Sequence, residues 1–131
     1  MDAKRRRYFD QQLEAVLAAV PQQVRDLLDQ VPLYVEDHPS KRMMRQLQVR
    51  HRDQLCGLYT GIPLTERSIN HSGVLSDAIY LFREGVWASA MDEAGDVDQQ
   101  ELHRQIRITV LHELAHHHGL DEDELRELGY D

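Results

Sequence analysis

The segment from Gln99 to His118 sets the frame for everything else this chain can fold into. Leu102, Ile106, Val110, Leu111, Leu114 and Ala115 recur there at the three-and-four spacing of a helix with a buried face. Asp98 stands where an N-cap belongs, and Gly119 where a left-handed residue ends a helix. A helix of that length spans roughly 30 Å, the diameter of a small domain. The chain has 131 residues, enough for one compact domain and too few for two. The expectation is therefore a single domain over 1–131, with about 1–11 frayed.

The remaining elements are shorter. Phe9, Leu13, Val16, Leu17 and Val20 predict a helix from about Arg5 to Val20, and Val24, Leu27, Leu28 and Val31 a second one beyond Pro21. Leu33–Glu36, Leu55–Thr60 and Ala78–Phe82 read as strands, the second closed by Gly61 and Pro63. Residues 41–54 are polar and basic, a loop or a loosely held helix. Residues 65–76 read as an irregular connection, and Trp87–Met91 as a short helix before an acidic loop at 92–98. Asp121 and Glu124 form a capping-box pair for a last short helix carrying Leu125 and Leu128. Helices flanking a small set of strands make an α+β domain with a small sheet.

Composition excludes several classes of function. Fifteen Lys and Arg against 23 Asp and Glu give a net charge of −8, a poor balance for gripping phosphate backbones, so no nucleic-acid partner is expected. The basic run Lys4–Arg7 reads as a frayed, solvated start. No apolar run reaches the roughly 20 residues of a bilayer span, so no membrane partner is expected. The apolar stretch 13–20 follows a basic start, but Glu14 and the preceding polar residues make it an amphipathic helix rather than a secretory core. A single cysteine, Cys56, forms no internal disulfide, and the expected location is the cytoplasm.

Histidine is the unusual count, with eight in the chain and three in a row at 116–118. Within the long helix lies His112-Glu113-Leu114-Ala115-His116, an H-E-x-x-H pattern. Residues i and i+4 share a helix face, so His112 and His116 can present ring nitrogens to one metal ion. Glu113 is offset by roughly 100° around the helix and points beside that ion, where it can take a proton from an activated water. The competing reading of the motif is a structural histidine cluster. By the same arithmetic His117 and His118 leave the ligand face, His117 as a core-edge or supporting group and His118 as a packed or surface one. His103 falls on the opposite face and is expected in solvent.

The run from His112 through His118-Gly119-Leu120 to Leu125-Arg126-Glu127-Leu128-Gly129-Tyr130 resembles the bacterial minimal zincin-like metallopeptidase family. Upstream, Leu58–Ser68 and Ala78–Arg83 are similar to the family's strand-and-turn segment and next strand, so the resemblance covers about residues 12–131. It implies a minimal zincin-like fold, with a small three-stranded mixed sheet packed on the motif helix. It also implies a zinc-dependent peptidase in which His112 and His116 hold the metal and Glu113 is the general base. Two departures are visible: His118 stands where an aromatic apolar residue is usual, and Glu122 where Asp is usual. In the larger metzincin proteases a third ligand lies three residues past the glycine, a position that here is Glu122. Asp121, Glu124 and water compete for that role, since acids also suit the first turn of a helix. A site of two histidines and water would hold zinc weakly. Tyr80 and Tyr130 are candidate oxyanion donors.

The expected partner is a peptide or protein substrate. A metal-dependent endoribonuclease is the alternative, because His112-x3-His116-x2-Gly119 is also similar to the bacterial rRNA-maturation endoribonuclease family. That pattern has a small residue at the position of Glu113 and a third His at that of Glu122. A third class is a catalytically idle domain that binds metal or a partner.

Overall fold

A computed structural model describes residues 1–61 and 77–127, apart from the side chains of Glu122 and Leu125. Along the chain run α1 (Ala3–Ala19), α2 (Gln22–Leu28), β1 (Leu33–Glu36), α3 (Lys41–Gln46), β2 (Gly57–Thr60), β3 (Ala78–Phe82), α4 (Arg83–Ala90), α5 (Gln99–His118) and α6 (Glu122–Glu127). The architecture is α+β. No helix among the described residues is long and apolar enough to cross a membrane.

The most apolar strand, β3, takes the centre of the sheet. The order is β1-β3-β2, with β1 parallel and β2 antiparallel to β3, the mixed three-stranded sheet that the resemblance implies. Leu33 and Tyr59 both pair with Ile79, and Val35 and Gly57 both pair with Leu81. Side chains alternate along a strand, so these six residues share one face. That face receives α5: Ile79 clusters with Leu111 and Leu114, and Leu81 with Ile106 and Val110. Ile79 and Leu81 are fully buried, and each such side chain contributes about 1.5–3 kcal/mol.

Helix α5 follows its sequence signals at both ends. Asp98 accepts from the Glu101 amide, and Gly119 is left-handed at φ 67°. The amide of Leu120 returns to the Ala115 carbonyl at 2.9 Å and that of Gly119 to His116 at 3.2 Å, a Schellman closure. Phe9, Leu13 and Val16 of α1 join Leu102, Ile106 and Val110 of α5 and Leu81 of β3 in one cluster.

Several expectations are corrected. The start of the chain is held in place rather than frayed. Asp2 caps α1 through the Arg5 amide, and Arg5 lies 4.7 Å over the Trp87 ring. Arg6 grips Asp37 at 2.6 Å, and Arg83 binds Asp37 and Asp10 at 2.9 Å each. This network ties α1 to the end of β1 and the start of α4. Strand β2 begins at Gly57 rather than Leu55, and α2 ends at Leu28, short of Val31. Helix α4 starts at Arg83, ahead of the expected Trp87. Within this helix Gly85 serves close packing: a Cβ there would lie 2.1 Å from the Leu55 carbonyl oxygen. Within 41–54 only Lys41–Gln46 is helical, capped by Ser40 and with no buried residue. The connection expected over 65–76, with Pro63, Leu128 and Tyr130, lies outside the described residues.

Candidate metal centre on helix α5

One helical turn separates His112 from His116, and their rings approach to 4.5 Å between centroids. Both are exposed, whereas Glu113 between them is buried. The difference follows from the turn of the helix, because one residue's rotation carries Glu113 from the solvent side to the side facing β2. Donor atoms of His112, Glu113 and His116 all lie within 4.8 Å of one another.

The glutamate also touches one of the histidines. Glu113 Oε1 lies 3.0 Å from His116 Nδ1, with the carboxylate side chain 9% exposed and the imidazole 49%. A proton on Nδ1 lets that nitrogen donate to the carboxylate, and Nε2 then keeps its lone pair. The cluster thus contains two accessible imidazoles, one of them oriented, beside a sheltered carboxylate. Two accessible imidazole nitrogens suit zinc, with the Glu113 carboxylate beside them, so the residues present fit that metal.

The sheet makes room for this arrangement. An added Cβ on Gly57 of β2 would lie 2.7 Å from Thr109 Cγ2 and 3.2 Å from Glu113 Cγ. Only a glycine at this position lets the edge strand lie this close to α5. Beyond it, Tyr59 meets His117: the rings are 5.5 Å apart, and Tyr59 Oη is 3.3 Å from Nδ1. Tyr59 also donates to Asp77 Oδ1 at 3.0 Å, and Asp77 Oδ2 is 3.5 Å from His117 Nδ1. Gly57, Tyr59 and Asp77 were not singled out from the sequence. A glycine inside a strand signals close backbone approach, so Gly57 was open to detection. Nothing local distinguishes Tyr59 or Asp77.

Glu122 opens α6, and its side chain lies outside the described residues. Asp121 and Glu124 engage each other as a capping box: the Glu124 amide donates to Asp121 at 2.9 Å, and the Asp121 amide to Glu124 at 3.4 Å. Tyr80 is excluded as an oxyanion donor at this site, since the pleat places it on the sheet face away from α5, 5.5 Å from Tyr34. His103 is half-buried rather than solvated, its Nε2 2.5 Å from Gln12 Oε1 on α1. His117 is buried against Tyr59. His118 is half-buried beside Leu27 and Leu120, and burial holds its imidazole below the ordinary value. Its Nε2 has no hydrogen-bond partner among the described residues.

A family model described as zincin-like metallopeptidase matches residues 28–130. The match begins later than the resemblance read from residue 12, leaving α1 outside it. No curated protein matches the chain.

Proposed function

Since the chain belongs to the zincin-like metallopeptidase family, we propose that it hydrolyses peptide bonds at the α5 centre with zinc as cofactor. The observation that carries this reading is the convergence of His112, Glu113 and His116 donor atoms within 4.8 Å, with both histidines exposed. His112 and His116 would hold the ion, and Glu122, three residues past Gly119, would complete the donor set. When bound, zinc polarises the scissile carbonyl and brings the pKa of a water to about 7.

The chain's own residues supply the rest. Glu113 takes the proton of the attacking water and returns it to the leaving amine, which the C–N bond must release as a neutral group. Its burial against β2 fixes where the carboxylate stands. Strand β2 pairs with β3 on one side only among the described residues. Its other edge can add an extended peptide through main-chain hydrogen bonds and lay it beside α5. Nothing in the site favours the ribonuclease reading, and the net charge of −8 opposes it.

The test pairs zinc content after dialysis with cleavage of an unstructured protein. Wild type should retain one zinc and cleave; Glu113→Gln should retain zinc and lose cleavage. A Glu113→Gln protein that cleaves as wild type does would remove the general base from this reading. Zinc retained without any cleavage by wild type would leave the metal-binding, catalytically idle domain.

A further inference from the structure

Three elements meet at one part-buried polar contact beyond the proposed ligands. Tyr59 comes from β2, Asp77 from the residue before β3, and His117 from the last turn of α5. His117 is 3% exposed, and its Nδ1 faces Tyr59 Oη at 3.3 Å and Asp77 Oδ2 at 3.5 Å. Tyr59 Oη donates to Asp77 Oδ1 at 3.0 Å, so the phenol and the carboxylate hold each other as well as the imidazole. The backbone is shaped for this approach. Gly61 has φ +114°, and a Cβ on it would fall 2.1 Å from Asp77 Oδ1. A side chain at that position would drive the end of β2 off the carboxylate.

His117 follows His116 in sequence and lies one turn after Glu113. Glu113 and His117 therefore belong to the sheet-facing side of α5, and His112 and His116 to the solvent side, roughly 100° away. The apolar contacts of α5 with Ile79 and Leu81 set which face of the helix is buried, but being non-directional they fix its rotation only coarsely. Hydrogen bonds depend on angle and distance, so a part-buried set joining three elements narrows the rotation further.

We infer that Tyr59, Asp77 and His117 act together as a positioning unit that fixes the rotation of α5 and thereby aims His112 and His116. The three are positioning residues, none of them a ligand. The part of this inference that concerns zinc rests on the proposed reading of the two histidines as ligands. The part that concerns the helix does not.

The experiment uses the full chain, with zinc alone as the probe. Tyr59→Phe removes the hydroxyl and keeps the ring against His117. Its zinc affinity, by competition with a chromophoric chelator, should fall about tenfold, in the range lost when groups that orient metal ligands are removed. In zinc-free protein, amides 114–118 should exchange hydrogen faster than in wild type, with amides 102–110 unchanged. Thr60→Val is the control for general loosening of the sheet, because Thr60 Oγ1 reaches the Ala78 carbonyl at 3.4 Å on the neighbouring strand. It should leave both readouts alone. His117→Asn, which keeps a hydrogen-bonding group near the Nδ1 position, should bind zinc more tightly than His117→Leu. Unchanged exchange in Tyr59→Phe, or equal loss in Thr60→Val, overturns the inference. Faster exchange in Tyr59→Phe with no zinc bound by wild type overturns the metal reading and leaves the positioning of the helix standing.

Discussion

Replacing Gly57 with alanine separates two opposed effects of known sign. In an open strand, Gly→Ala stabilises by about 0.5–1 kcal/mol, because glycine loses more backbone freedom on folding. Here the new Cβ would lie 2.7 Å from Thr109 Cγ2, 3.1 Å from the Tyr80 carbonyl oxygen and 3.2 Å from Glu113 Cγ. The first distance is far inside van der Waals contact, and neither a helix residue packed on the sheet nor the backbone of β3 yields cheaply. Overpacking of this kind costs about 1–3 kcal/mol. The clash exceeds the entropic gain, and the expected net loss is about 1–2 kcal/mol. For a chain of this size that is a fall in Tm of about 4–8 °C.

Thermal and urea unfolding of four proteins measure it: wild type, Gly57→Ala, Thr109→Ser and the double variant. Thr109→Ser deletes the methyl group at 2.7 Å while keeping the hydroxyl that donates to the Gln105 carbonyl at 2.8 Å. The double variant should therefore be more stable than the sum of the single losses allows, with a coupling of at least about 0.5 kcal/mol. Because Glu113 Cγ is also crowded, Gly57→Ala should weaken zinc binding even where it is fully folded. A Gly57→Ala protein at least as stable as wild type, or strictly additive losses, would refute the close packing of β2 on α5.

Two further outcomes are expected. Glu122→Gln should weaken zinc binding well beyond Asp121→Asn, and Glu122→His should restore it; equal, silent substitutions measured by chelator competition would leave a two-histidine centre. Arg6 and then Arg83, hydrogen-bonded to Asp37, hold its carboxyl at about 2, below the ordinary 3.8. A depressed carboxylate stabilises the fold above its unfolded pKa and loses that contribution as pH falls through the folded one. After allowance for solvent screening, Asp37→Asn should cost about 1–2 kcal/mol at pH 7. In urea unfolding the gap to wild type should narrow between pH 4 and pH 2; a gap constant over that range would refute the ion-pair account.

How much of this was legible in the sequence depends on the range of the signal. Helix α5 and its two ends were readable because caps and apolar spacing are local: Asp98, Gly119 and the apolar residues from Leu102 to Ala115 stand within one segment. The strands were readable for the same reason, and the resemblance supplied their mixed order. The start of α1 was misread because its stability is non-local. Arg6 and Asp37 are 31 residues apart, and Arg83 and Asp10 are 73 apart. Nothing in a run of Lys and Arg reveals such partners. The need for glycine at position 85 is illegible for a related reason, since the Leu55 backbone that requires it is distant in sequence. His112, Glu113 and His116 could be nominated together because one helical turn joins them. Tyr59 and Asp77 could not, because only the sheet brings them to His117.

The buried polar residues of α5 show how stability and site geometry are joined in this fold. Among the described residues, the buried polar or charged side chains are Thr109, Glu113 and His117, at intervals of four. They form one stripe facing β2, and two of them directly follow the exposed histidines, 113 after 112 and 117 after 116. Leaving such groups buried without partners costs about 1–3 kcal/mol each, so a helix selected for stability alone would be apolar here. Each is instead satisfied: Thr109 by the Gln105 carbonyl, Glu113 by His116, His117 by Tyr59 and Asp77. Apolar replacements along the stripe could match or exceed the stability of these bonds. They would leave α5 held by contacts that fix its rotation only coarsely. Rotation is the quantity a two-histidine face cannot do without, since a turn of roughly 100° would exchange the exposed imidazoles for the stripe itself. The polar stripe therefore trades core stability for a fixed aim of His112 and His116, and the glycine at position 57 is what lets the sheet come close enough to enforce it.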